Sequence, residues 1–170
     1  MAGYGLPKEQ HLSVVLQNSL EVEGHKIKII NGSVSGSTSA GGLNIAEWTL
    51  SQSNIDLMIL CLGANDMLRG INPKETKNNL EEIIQIAKNK KIKIIITGMI
   101  APTSYGSEYK ESFDKIFFNL SKEYNLQLIP FLLEGVAQKP EFNLSDGMHP
   151  NDQGTIIIGN TLKKAILKNL

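Results

Sequence analysis

Arginine is almost absent from this 170-residue chain: Arg69 is the only one, and every other basic residue is lysine. Surfaces that read phosphate favour the arginine fork, so the composition argues against nucleic-acid recognition. The charge balance agrees, because seventeen basic residues meet seventeen acidic ones, which leaves nothing to draw the chain to nucleic acid or an anionic bilayer. Cys61 is the only cysteine. That excludes an internal disulfide and a cysteine-rich metal site, and within the apolar run IDLMILCLG the thiol reads as buried and inert. No run of about 18 apolar residues is present, the length that a membrane-spanning helix requires. Internal repeats, low-complexity tracts and linkers are also missing, and no obligate protein partner is evident. The length suits one domain with a sizeable core, so the expectation is a single domain over residues 1–170.

What the chain does contain is alternation. Four short β-rich apolar runs occur at 26–31 (KIKIIN), 55–62 (IDLMILCL), 92–97 (IKIIIT) and 126–131 (LQLIPF). Most are continuous, as strands buried on both faces should be. Helical stripes lie around them: Leu12, Val15, Leu16 and Leu20; Leu80, Ile83, Ile84 and Ala87 after Pro73; Phe113, Ile116, Phe117 and Leu120; and Ile158, Leu162, Ala165 and Ile166. Each recurs at steps of three and four. A shorter helix is predicted over roughly 40–51. Such alternation predicts an α/β fold, a parallel sheet with helices on both faces. Functional loops then belong at the carboxyl ends of the strands. The small and polar residues concentrate there, in NGSVSGSTSAGG, GANDMLRG, GMIAPTSYG and SDGMHPND.

Three of these loops carry candidate chemistry. In DGMHP, Asp146 and His149 are three apart, and Pro150 keeps His149 out of helical geometry. A carboxylate so placed can accept the imidazole Nδ1–H and leave Nε2 as a general base, although Asp-Gly is also a common turn. His11, on an amphipathic helix, and His25, in a turn after Gly24, read as ordinary. In GANDMLRG, Asn65 and Asp66 fit a turn and helix entry, or Asn65 can donate its amide to an oxyanion. In SVSGSTS, Gly36 lets a ligand approach its backbone N–H, while a flexible serine-rich loop is the plainer account.

Taken in order, NGSVSG, GAND and DGMHPN resemble the glycine, Gly-x-Asn-Asp and Asp-x-x-His blocks of the SGNH, or GDSL-type, serine esterases. The companions AGYGLP, LRG, YG and LIPF resemble the bacterial branch of acyl thioesterases, lysophospholipases and arylesterases. The resemblance implies a three-layer flavodoxin-like fold with a parallel sheet, and hydrolysis of a small-molecule acyl ester or thioester without metal or organic cofactor. It implies His149 as general base, Asp146 as its orienting carboxylate, and Asn65 and Gly36 as oxyanion donors, with His149 facing the other two across one cleft. The loops 67–71 and 102–106 carry apolar residues beside the polar site and are expected to line the acyl pocket, with Met67, Leu68, Pro102, Tyr105 and Gly106 meeting the substrate. Arg69 is expected either to meet a headgroup or to cap its own loop.

In that family a central first strand ends in Gly-Asp-Ser-Leu, one residue before Ala-Gly-Tyr-Gly. Met1 falls on that residue, so the expectation is that the strand and the nucleophilic serine lie ahead of it. A chain lacking both would be inactive and loosely packed. Its compartment would follow from the same point: cytoplasmic with Met1 as the true start, periplasmic or secreted with a signal peptide further upstream. Nothing singles out Ser33, Ser35, Ser37, Ser39, Ser104, Ser107 or Ser145 as a substitute nucleophile. Two other functions compete. A non-enzymatic module would bind an ester or carboxylate without turnover. A flavodoxin-like carrier would cradle a phosphate on SGSTS, and it leaves GAND and DGMHP without a role.

Overall fold

The computed structural model describes residues 3–52 and 54–170. They form two compact units: Gly36–Phe131, and the residues up to Ser35 together with Leu132–Leu170.

The unit Gly36–Phe131 holds the sheet. Strands β1 (Leu57–Leu60), β2 (Lys93–Thr97) and β3 (Gln127–Ile129) pair in parallel in that order, with Met58 opposite Ile94 and Ile96 opposite Leu128. Parallel neighbours need long crossovers, which α4 (Pro73–Asn89) and α5 (Ser107–Tyr124) supply. The middle strand buries Ile94, Ile95 and Ile96 in succession, as a strand covered on both faces must. Helix α4 starts where Asn72 accepts the Lys74 N–H and Pro73 takes the first turn. It buries Leu80, Ile83, Ile84 and Ala87, while α5 buries Phe113, Ile116, Phe117 and Leu120. Both stripes are those marked in the sequence. Ahead of β1, α2 (Ser39–Leu50) is capped by Thr38 and packs along α4. The short α3 (Ala64–Leu68) follows β1 after three residues.

In the other unit α1 (Leu12–Val22) packs against α6 (Asp152–Leu167). Helix α6 opens on Asn151, whose side chain accepts the Gly154 N–H at 3.0 Å. Leu12, Leu16, Leu20, Ile158, Leu162 and Ile166 are buried.

Three expectations need correction. The run 26–31 is not a strand. Among the described residues no strand pairs with it, and a side chain takes the place of a ladder: Gln17 of α1 donates to the Ile27 carbonyl and accepts the Ile29 N–H, both at 2.6 Å. His11 is the residue before α1 rather than within it. Cys61 is half-buried, because β1 ends one residue earlier and Cys61 lies outside the paired strand. Among the described residues no helix is long and apolar enough to cross a membrane.

Candidate active site

Asp146 and His149 share one turn. Pro150 bridges antiparallel to Asn143, and the Leu144 N–H donates to the His149 carbonyl at 2.7 Å, so the loop closes at its base. Within it the Asp146 carboxylate turns inward. Oδ1 accepts the backbone N–H groups of Met148 and His149, each at 2.9 Å, and Oδ2 lies 2.7 Å from Nδ1 of His149. Three donors to one carboxylate favour its charged form. The His149 N–H, then the Met148 N–H, then the His149 ring pull the Asp146 pKa down to about 2. A charged carboxylate at Nδ1 keeps the proton on that nitrogen. Nε2 has no hydrogen-bond partner among the described residues, which leaves it able to accept a proton. The pair is neither buried nor fully open, with side chains 42% and 38% exposed.

The second group lies in the unit Gly36–Phe131. Gly36 has a φ of 74°, a conformation that a residue with a Cβ adopts only under strain. Two consecutive carbonyls of this loop point at α3. Arg69 donates Nη2–H to the Gly36 carbonyl at 2.8 Å, and Asn65 donates Nδ2–H to the Ser37 carbonyl at 3.0 Å. The Gly36 N–H has no partner among the described residues, and neither has the second N–H of the Asn65 amide. Arg69 therefore ties its own loop to Gly36.

A fully buried carboxyl group holds these pieces in register. Asp66 accepts the Ser39 N–H at 2.8 Å and the Thr76 hydroxyl at 3.2 Å, and it also accepts the Ser39 hydroxyl. Asn79 donates to the Ser39 Oγ at 2.9 Å. The start of α2, α3 and the first turns of α4 are thus pinned to one acceptor. None of Ser39, Thr76 and Asn79 was legible as part of a site. The signal available was Thr76 itself, a polar residue on the stripe that continues through Leu80, Ile83 and Ile84. Tyr4, which the sequence places in AGYGLP without a role, has its ring against that of His149.

The two loops expected to line an acyl pocket meet. The Tyr105 hydroxyl reaches the Leu68 carbonyl at 3.4 Å, and Tyr109 donates to the Ile71 carbonyl at 3.0 Å. Tyr105, Tyr109 and Phe113 stack in sequence. Burial raises the Tyr109 hydroxyl pKa, with Tyr105 and Asp66 adding to the shift, so it stays a neutral donor. Leu68, Pro102, Tyr105 and Gly106 are exposed, while Met67 is half-buried.

Known proteins resemble this chain in sequence and in fold. The pattern of the GDSL-like lipase/acylhydrolase family matches residues 1–155. An arylesterase of Vibrio mimicus is 35% identical over 169 residues, covering 99% of this chain and 84% of its own length. The thioesterase 1/protease 1/lysophospholipase L1 of Escherichia coli K12 is 34% identical over 141 residues, 83% of this chain and 68% of its own. The crystal structure of TesA superimposes with a TM-score of 0.93 at 31% identity, covering 99% of this chain and 94% of that one. Matched over nearly all its length by sequence and by fold, the chain belongs to the GDSL-like lipase/acylhydrolase family, in the thioesterase and arylesterase branch of the SGNH hydrolases.

Proposed function

We propose that the site hydrolyses carboxylic ester or thioester bonds of small acyl substrates, of the arylesterase, lysophospholipase or acyl thioesterase type, in a single domain over residues 1–170. The observation that carries this is the Asp146–His149 pair, with Nδ1 held at 2.7 Å and Nε2 without a partner among the described residues. A serine hydroxyl attacks the substrate carbonyl carbon as His149 Nε2 takes its proton. Asp146 stabilises the imidazolium that forms. The negative oxygen of the tetrahedral intermediate is met by the Gly36 N–H and the Asn65 amide, two donors with capacity to spare. Collapse of the intermediate expels the alcohol or thiol, which leaves with the proton from His149. Water then repeats the sequence and frees the acid. Met67, Leu68, Pro102, Tyr105 and Gly106 bound the acyl side, and Arg69 holds Gly36 in place.

No serine hydroxyl among the described residues is hydrogen-bonded to the His149 ring. Ser39 is committed to Asp66, and Ser37 donates to the Thr38 carbonyl. These 170 residues by themselves are therefore expected to turn over little. The test assays p-nitrophenyl esters of short and long acyl chains with the 170 residues alone, and with the same residues joined to a strand ending in Gly-Asp-Ser-Leu. The joined protein should hydrolyse them, and His149→Ala should remove most of that rate. Vigorous hydrolysis by the 170 residues, lost on replacing one of their own serines, would show the nucleophile to be elsewhere. Ester binding without turnover in the joined protein would favour a binding module.

A further inference from the structure

Gly3 and Gly5 flank Tyr4, whose ring reaches His149. The two ring centroids are 4.4 Å apart and the planes are tilted by 34°, within the range of an aromatic contact. Tyr4 is nevertheless 59% exposed, so burial does not hold it there. The backbone does. Gly3 has a φ of 78° and Gly5 one of 72°, and neither has room for a side chain. A Cβ on Gly3 would lie 2.2 Å from Cδ2 of His11, and one on Gly5 would lie 2.7 Å from Cδ1 of Leu144. The turn is closed by the Leu6 N–H, which donates to the Gly3 carbonyl at 3.1 Å, and by His11 Nε2, which donates to the Leu6 carbonyl at 3.1 Å. Leu144, on which Gly5 is seated, is the residue whose N–H binds the His149 carbonyl. The turn therefore rests on two supports, the His11 ring and the loop that carries His149.

We propose that Tyr4 is a positioning residue for His149. Asp146 holds the imidazole by one edge, and a single bond at Nδ1 leaves the ring able to rock about the N···O line. A second ring laid against the imidazole face removes that motion and sets the direction of Nε2. The two glycines of GYG follow from the same requirement, since both positions take a positive φ that a residue with a Cβ rarely adopts. The role rests on the reading of His149 as the general base.

The test is proton and nitrogen NMR of the 170 residues joined to the strand ending in Gly-Asp-Ser-Leu, comparing this parent with Tyr4→Leu and Tyr4→Phe. Circular dichroism checks that each variant keeps the parent's fold. The parent should show His149 ring protons displaced by the Tyr4 ring current and a downfield Nδ1–H signal protected by Asp146. Tyr4→Leu should lose the displacement, and its Nδ1–H signal should vanish into exchange with water. Tyr4→Phe should keep both. Retention of the Nδ1–H signal in Tyr4→Leu overturns the proposal, whether or not the ring-current shift is lost. So does its absence from the parent, or its loss in Tyr4→Phe. Failure of the esterase reading registers elsewhere, as hydrolysis that survives His149→Ala, whatever the spectra of the Tyr4 variants.

Discussion

Replacing Asp66 with alanine should cost this protein more stability than replacing Asp66 with asparagine or Thr76 with valine. The side chain is fully buried and accepts three hydrogen bonds, from the Ser39 N–H, the Ser39 hydroxyl and the Thr76 hydroxyl. Its donors differ in what they can do once the acceptor is gone. Thr76 can turn its hydroxyl to a carbonyl one turn back in α4, so its loss is small. The Ser39 hydroxyl keeps the Asn79 amide as a donor but has no acceptor for its own proton. The Ser39 N–H is in the first turn of α2 and cannot turn at all. A buried donor left without a partner costs about 1–3 kcal/mol. One such N–H, one half-satisfied hydroxyl and a small cavity come to about 3–5 kcal/mol. A domain is stable by only about 5–15 kcal/mol in total, and in a chain of this length each kcal/mol moves Tm by about 2–4 °C. The Ala variant should therefore melt roughly 10 °C lower. Asp66→Asn keeps the volume and one acceptor and should lose about 1–2 kcal/mol, and Thr76→Val about 1 kcal/mol. Urea unfolding followed by far-UV circular dichroism, and by Trp48 on α2, reads all three at an unchanged m-value. An Ala variant within about 1 kcal/mol of the parent would refute the idea that one acceptor pins three elements.

The Asp146 carboxyl group is held near pKa 2 by the His149 and Met148 N–H groups and by the His149 ring, against about 3.9 in an unfolded chain. A depressed folded-state pKa adds stability that is complete above the unfolded value and is lost as pH falls. The loss should run from pH 4 down through about 2, and Asp146→Asn should abolish this part of the acid dependence. Carbon NMR of the Asp146 carboxyl group checks it directly, and a midpoint near 4 would be the contrary result. Gly98 follows β2, and a Cβ there would fall 2.1 Å from the Pro130 carbonyl oxygen. Because that atom is backbone, Gly98→Ala must part the ends of β2 and β3, with a loss of about 1–3 kcal/mol. An unchanged thermal melt would mean that the two strand ends are not in close contact.

The elements that were legible are those whose pattern is set by burial within a few turns of chain. The stripes of α4 and α5, and the unbroken apolar run of β2, announce themselves because helix and strand periods differ and each buried face repeats. Residues 26–31 show why that is not enough. Lys26, Lys28 and Ile30 are exposed while Ile27 and Ile29 are half-buried, which is the alternation of a half-buried strand. Yet a strand is defined by a ladder, and here an amide ten residues earlier in the chain occupies the backbone groups that a ladder would use. Periodicity reports which side of a segment faces the core and is silent on what its N–H and C=O groups meet.

The candidate site divides along the same line. Asp146 and His149 could be read from the text because their partner is three residues away and the turn that joins them is local. Asp66 could not, because its acceptor role depends on Ser39, 27 residues earlier, and on Thr76 in the next helix. Tyr4 and His149 are farther apart still, and no spacing rule links a tyrosine between two glycines to a histidine near the other end of the chain. What the sequence does preserve is the backbone consequence. A glycine on each side of Tyr4, both at positive φ and both with a neighbour where a Cβ would stand, is the mark of a turn pressed against other parts of its unit. Such a mark gives the location of a contact before the partner is known. It becomes chemistry only when the partner proves to be a ring whose orientation matters.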